Sequence, residues 1–190
     1  MLEDFKDYVF DKEFNNIDFN RYFDYVEIKS CSFNNCKFNN GTFQGLDISD
    51  STFKLCDISN VKLNDRSYKN IEFNNCNMVG IDFSDSYLEN VTFKSCNLNY
   101  SNFSGCNINN IKFIDCSIKE GSFNMMKWKK VIFNDSNLSG SEFIQSKLKD
   151  IDLSSCNIED IKVDINNLKG CSVNLEQALD LSLLMGINIK

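Results

Sequence analysis

The sequence predicts an all-β fold, a four-sided solenoid followed by a short C-terminal α-helix, and three observations predict it. Counting in fives from Phe23, every marked position to Val173 is apolar or aromatic, 31 in succession without a slip. The residue two before each is mostly small or apolar, as at Cys31, Cys36, Gly41, Ser51, Val61, Ile71, Cys76 and Ile81. Between these pairs stand mainly Asn, Asp, Ser, Lys and Gly, for the most part residues of tight turns and left-handed corners. A helix repeats at about 3.6 and a plain strand at about 2, so neither sustains a strict five. Self-similarity at a fixed short period marks a stacked coil.

If the chain turns a corner after each five-residue side, four sides make a square coil of 20 residues. The marked residue and the one two before it then point inward, as strand alternation requires. Of the 16 marked positions ending in 3, 12 are Phe; of the 15 ending in 8, only Phe38 is. Positions ten apart lie on opposite sides, so two facing walls stack Phe and the other two mostly Ile or Leu. Large and smaller groups shared in this way fill a narrow prism to native density.

Residues 1–20 run out of phase with the rest. Phe14 and Phe19, with Ile17 two before Phe19, form one or two repeats a residue adrift from Phe23. They are expected to make an irregular first coil or cap, because solenoid ends need covering. Residues 21–174 are the repeat body. Within it Arg66 occupies an inward slot; a buried unpaired guanidinium is too costly, so this side is expected to bulge and send Arg66 outward as a protrusion. Met126 and Trp128 take inward positions in NMMKWKK and are read as core, with Lys127, Lys129 and Lys130 solvated. Asn166 is a further polar residue in an inward slot.

After Val173 the period stops, and residues 175–190 form the terminal segment. LEQALDLSLLM is rich in helix formers, Asn174 is placed as N-cap and Gly186 as the stop. Leu179, Leu183, Leu184, Met185 and Ile187 are too many apolar groups for a short surface helix. They are expected to cover the open end of the coil and meet a second chain as a dimer interface.

Composition removes several function classes. The chain carries a net charge of −7 and no His, so the commonest general base and metal ligand is missing. MLEDFKDYVF is acidic and lacks the apolar run of a signal peptide, and no stretch approaches the ~18 apolar residues of a membrane span. A soluble cytoplasmic protein without a cofactor is expected. All nine cysteines fall two residues before a marked position, and Cys36, Cys56, Cys76, Cys96 and Cys116 recur every 20. With no His and no CxxC this is a thiol ladder, not a metal site; Cys serves as a small buried hydrophobe in a reducing compartment. A filled interior, no Gly-rich phosphate loop and no paired carboxylates on a concave surface leave no catalytic residues to name.

The repeat, small–polar–Leu/Phe–polar–polar, resembles the pentapeptide-repeat family over roughly four-fifths of the chain, and membership implies a right-handed quadrilateral β-helix. ALDLSLLMGINIK further resembles the endings of the Qnr quinolone-resistance proteins, with Leu183-Leu184-Met185 and Gly186-Ile187 abutting where that group usually has a few residues between. SNLSGSEF is similar to their late repeats. In that group, and in the related mycobacterial MfpA type, the terminal segment makes a two-fold dimer. The resemblance implies a non-catalytic mimic of duplex DNA that binds DNA gyrase or topoisomerase IV and inhibits it or protects it from quinolones. Gram-negative Qnr proteins interrupt the coil with two projecting loops; here nothing is inserted between Phe23 and Val173, so the resemblance is to a loop-less form.

A duplex mimic should carry carboxylates along the rod, to occupy a basic DNA-binding saddle. On the side whose marked residues include Phe43, Leu63, Phe83 and Phe143, Asp24, Asp65, Asp82, Asp85, Glu142 and Asp164 stand against Lys62 and Lys162. These six are the candidate partner-binding residues. The next side, through Ile48, Tyr68, Leu88 and Trp128, is basic, ending in Lys127, Lys129, Lys130, Lys147, Lys149 and Lys169. With the overall negative charge and no aromatics interleaved on the outer surface, direct nucleic-acid binding is not expected. The alternative to a topoisomerase modulator is a protein–protein interaction rod for another partner.

Overall fold

In a computed structural model, residues 7–39, 41–184 and 186–188 are described. They form a parallel β-solenoid of about eight coils stacked some 4.8 Å apart. The strands are β1 (Tyr8–Phe10), β2 (Glu13–Asn15), β3 (Tyr22–Lys29), β4 (Ser32–Asn34), β5 (Thr42–Lys54), β6 (Ser67–Asn74), β7 (Tyr87–Lys94), β8 (Asn107–Ile114), β9 (Lys127–Asn134), β10 (Glu142–Phe143) and β11 (Lys162–Val163). A 3₁₀ turn (Ile165–Leu168) and the helix α1 (Leu175–Leu184) follow. From β3 onward the ladders run at a constant step of 20 residues: Ile28 beside Ile48, Phe53 beside Phe73, Phe93 beside Phe113, Phe113 beside Phe133. Two adjacent sides carry the long strands. The other two are held by single bridges such as Lys62 to Asp82 and Asn77 to Asn97.

The corners explain the Asn- and Asp-rich spacing. Nearly every fifth residue lies in the left-handed region, among them Asp65 (φ 55°), Asn70 (φ 55°), Asp85 (φ 58°), Asn90 (φ 54°) and Asn110 (φ 57°). Asn and Asp tolerate that conformation better than other side chains. Up one edge four corner side chains link together, Asn110 donating to Asn90 (2.7 Å), Asn90 to Asn70 (2.9 Å) and Asn70 to Asp50 (2.7 Å).

Two phenylalanine stacks fill the prism, as the ten-residue alternation predicts. Phe14, Phe33, Phe53, Phe73, Phe93, Phe113 and Phe133 form one, with ring centres 4.7–5.2 Å apart. Phe83, Phe103, Phe123 and Phe143 continue the opposite one at 5.2–5.3 Å. The stacks meet edge to face, as where Phe103 meets Phe113 at 5.6 Å and 86°. Each such contact adds about 0.5–1.5 kcal/mol beyond area burial. Where Leu63 replaces a ring in its column, the larger Tyr68 stands on the next side of the same coil. Its hydroxyl donates to the carbonyls of Leu46 (3.0 Å) and Leu63 (2.9 Å), and burial holds that phenol well above its ordinary pKa.

The first described coil, from residue 7 to residue 20, stacks on the second at a step of 19: Val9 beside Ile28, Phe14 beside Phe33, Asp18 beside Lys37. The missing residue falls between Phe19 and Phe23, whose rings stay 6.1 Å apart and edge-on.

Candidate interaction surface

With the interior filled, function has to lie on the outer skin. Asp65 and Asp85 occupy equivalent corners one coil apart, and both are exposed. The Asp85 carboxylate leans over Gly105, where an added Cβ would come within 2.2 Å of its Oδ1. Asp82, half-buried beside them, accepts the Ser84 N–H at 3.0 Å. The fold therefore groups Asp65, Asp82 and Asp85 within two coils. Asp24 lies two coils toward the N-terminus, on a side that also holds Arg21, its guanidinium 5.1 Å from the Phe23 ring centre. Beyond the trio, the neutral Asn102, Ser104, Ser122 and Asn124 intervene before Glu142, about three coils or some 14 Å away.

Glu142 and Asp164 are engaged within the chain. Lys162 Nζ donates to Glu142 at 2.7 Å and Asn124 Nδ2 at 3.1 Å, which together lower the Glu142 pKa. Asp164 accepts the Gln145 N–H at 2.7 Å and Asn167 Nδ2 at 3.0 Å. The sequence contained a signal for a comparable engagement of Asp82. Asp or Asn two residues before Ser recurs at Asp57, Asp82, Asn102, Asn137 and Asp152, and each accepts the N–H of that Ser at 2.9–3.1 Å. Such residues hold the turn as well as facing solvent.

Arg66 is accommodated without a bulge. Lys62 pairs with Asp82 and Ser67 with Tyr87, so no residue is inserted between them. Its N–H donates to Ser86 Oγ at 3.1 Å, and its half-buried guanidinium runs across Gly45 to lie 5.7 Å from the Tyr25 ring centre. Gly45 supplies the room: a Cβ there would stand 2.9 Å from an Arg66 terminal nitrogen. Tyr25 in turn donates its hydroxyl to Asp47, and that bond raises its pKa. Met126 is buried; Trp128 is half-buried, its indole N–H donating to the Lys147 carbonyl at 2.6 Å. Asn166 is exposed, in the 3₁₀ turn.

The small inward slot has a chemistry that size alone did not predict. Thiols and hydroxyls there donate to a carbonyl on the coil below: Cys76 to Phe53 (3.4 Å), Cys96 to Phe73 (3.5 Å), Cys106 to Phe83 (2.9 Å), Ser146 to Phe123 (2.6 Å). Several serines also accept an N–H from that coil, as Ser146 does from Met126 at 2.9 Å. Along the ladder, the neighbouring Cys56 and Cys96 thiols, with burial, raise Cys36, Cys76 and Cys116 above the ordinary thiol pKa. The same neighbouring thiols lower Cys56 and Cys96. Burial pushes Cys106 to about 12. All nine cysteines are free, and among the described residues no cluster of His, Cys, Asp or Glu could hold a metal ion.

At the C-terminal end the expected cover is corrected. Leu179 is 45% exposed, Leu183 60%, Leu184 48% and Ile187 48%; Met185 lies outside the described residues. The buried residue of α1 is Gln177. Its Nε2 donates to the carbonyls of Leu153 (2.9 Å) and Cys156 (2.6 Å). A reciprocal capping box with Asn174 holds it, Asn174 N–H donating to Oε1 at 2.8 Å and Gln177 N–H to Asn174 Oδ1 at 3.0 Å. The last coil presents orphan carbonyls, and an amide satisfies them where a leucine cannot. Leu181 packs half-buried against the core, while Leu175, Leu179 and Leu183 face outward at one-turn intervals on one stripe.

A four-sided parallel coil with a filled core, turned every five residues by left-handed corners, defines a repeat rod that acts through its surface. The chain belongs to the pentapeptide-repeat family, described as a pentapeptide repeat region, which matches residues 26–103 and 66–143. No curated protein matches it in sequence. Among solved structures it is similar to a trypsin-treated single-substitution variant of QnrB1, a plasmid-mediated fluoroquinolone resistance protein, at 18% identity and TM-score 0.49, covering 96% of this chain and 99% of that one. A second trypsin-treated variant of QnrB1 gives 24% identity and TM-score 0.44, covering 98% and 93%. HetL, a pentapeptide repeat protein involved in heterocyst differentiation regulation in the cyanobacterium Nostoc, gives 10% identity and TM-score 0.44 over 86% of each chain. No helix among the described residues is long and apolar enough to cross a membrane.

Proposed function

We propose that this chain is a non-catalytic, cytoplasmic DNA mimic that binds DNA gyrase or topoisomerase IV and modulates it, with quinolone resistance as one outcome. The observation that carries the reading is the trio Asp65, Asp82 and Asp85, held on successive coils by fixed corners of a rigid rod. Preorganised carboxylates on a rod can enter a basic duplex-binding channel without an ordering cost. Asp24, Glu142 and Asp164 extend the acidic side at a distance. The outward stripe of Leu175, Leu179 and Leu183, with Leu184 and Ile187, supports a homodimer through α1, since an apolar patch of that kind favours a partner. A supercoiling assay titrated with this protein, with and without a quinolone, tests the proposal. Inhibition or drug protection at micromolar protein, weakened by salt and by Asp65→Asn with Asp85→Asn, is the expected result. No effect at those concentrations overturns it. The second reading, an interaction rod for a different protein, is favoured by the engagement of Glu142 with Lys162 and of Asp164 with Gln145, which leaves the acidic side discontinuous.

A further inference from the structure

The side adjacent to the acidic one carries a lysine grid over the last three coils. Lys127, Lys129 and Lys130 stand on one coil, Lys147 and Lys149 on the next and Lys169 on the last, all exposed. On that side of those coils the one acid is Asp150. Positions 129, 149 and 169 share a column, as do 127 and 147, so lysines recur about 4.8 Å apart up the sheet. Like charges directly opposite across a ladder destabilise it, whereas two lysines elsewhere on the rod stand opposite a carboxylate: Lys69 meets Glu89 at 3.9 Å and Lys162 meets Glu142 at 2.7 Å. Among the described residues none of the six has a carboxylate within 4.0 Å. Other sides of the same coils hold Asp135, Asp152, Glu159 and Asp160, so the positive charge is segregated.

We propose that this lysine face binds the phosphate backbone of duplex DNA without reading its sequence. Apart from Asp150 the charged groups of this flat face are ammonium groups, with neither the Arg fork nor the aromatic anchor of a protein hot spot. Trp128, the aromatic among them, spends its N–H on the Lys147 carbonyl. Point charges on a flat surface are what backbone binding needs, since phosphate contacts position without specifying. The net charge of −7, which argued against nucleic acid in the sequence, acts weakly here. The acidic first coil lies at least five coils away, roughly 24 Å, against a Debye length of about 8 Å at physiological salt.

Fluorescence anisotropy of a labelled short duplex of scrambled sequence, with this protein and no topoisomerase, tests the proposal separately from the reading above. Binding should be indifferent to sequence and fall by about a hundredfold between about 50 and 200 mM KCl, as three to five neutralised phosphates require. Lys129→Glu with Lys149→Glu should weaken binding at least tenfold at the lower salt. Lys94→Glu with Lys112→Glu, an equal charge change on another side, should weaken it less than threefold. Absence of duplex binding by the unmodified protein overturns the proposal, as does equal loss in both double variants. So does capture by phosphatidylserine vesicles without duplex binding, which would assign the face to lipid.

Discussion

The coils between Ser67 and Asn134 and the two ends of the rod are built from the same repeat, yet different forces hold them. In the middle each residue meets its equivalent 20 positions on, rings such as Phe73, Phe93 and Phe113 stack on rings above and below, and each coil satisfies the backbone of the next. At the N-terminal end the step shortens to 19 and one side loses a residue. At the C-terminal end one of the last sides becomes a 3₁₀ turn, and Gln177 and Asn174 donate to carbonyls that no further coil can take. A repeat solves its own packing by copying; an end has no copy to lean on and needs particular residues.

The largest effect should separate the middle from the end. Phe93→Ala removes a ring stacked on both sides, and a loss of about 3–5 kcal/mol is expected from urea unfolding. Phe14→Ala, stacked on Phe33 in the first described coil, should cost less. Equal losses would erase the distinction.

Next comes the end itself. Gln177→Leu should destabilise by about 1–3 kcal/mol, because two carbonyls lose their donor. If apolar cover were what the open end needs, the same change would raise the melting temperature.

Within the repeat body, two serines in inward small-residue slots should answer oppositely. Ser146 bonds to both Phe123 and Met126, so Ser146→Ala should cost about 1 kcal/mol. Ser101 Oγ is buried without a partner, and Ser101→Ala should be neutral or stabilising by up to about 1 kcal/mol by the same argument.

The smallest effect is one of reactivity. Cys171, half-buried in the last coil, has its pKa raised to about 11 by burial and the nearby Asp152. Only the thiolate reacts. Its labelling by a disulfide reagent should therefore be slow at pH 7 and rise about tenfold per pH unit toward 11, ahead of the eight buried thiols. Simultaneous labelling of all nine would mean that the middle opens as readily as the end.

The prism was legible in the sequence because its cause is local and repeated: Phe at positions ending in 3, small residues two earlier, Asn and Asp at corners. The trio Asp65, Asp82 and Asp85 could be placed on one side from spacing alone. What could not be read were contacts made once. Leucines at 179 and 183 look like a plug on hydrophobicity, whereas the plug is Gln177, because the need there is for hydrogen-bond donors. Arg66 looks like a misfit until Gly45, one coil below, is seen to leave room for it over Tyr25. Glu142 counts as a free charge until Lys162 stands opposite, one coil up.

The unbroken 20-residue step also makes this rod a ruler with fixed gradations. Each whole coil added or removed changes its length by about 4.8 Å. Duplicating one central unit would carry the lysine grid one notch away from Asp65 and Asp85, and a quarter-unit would rotate the two faces relative to each other by one side. The separation of the two charged faces is thus set by counting residues, a quantity that packing within any single coil does not alter.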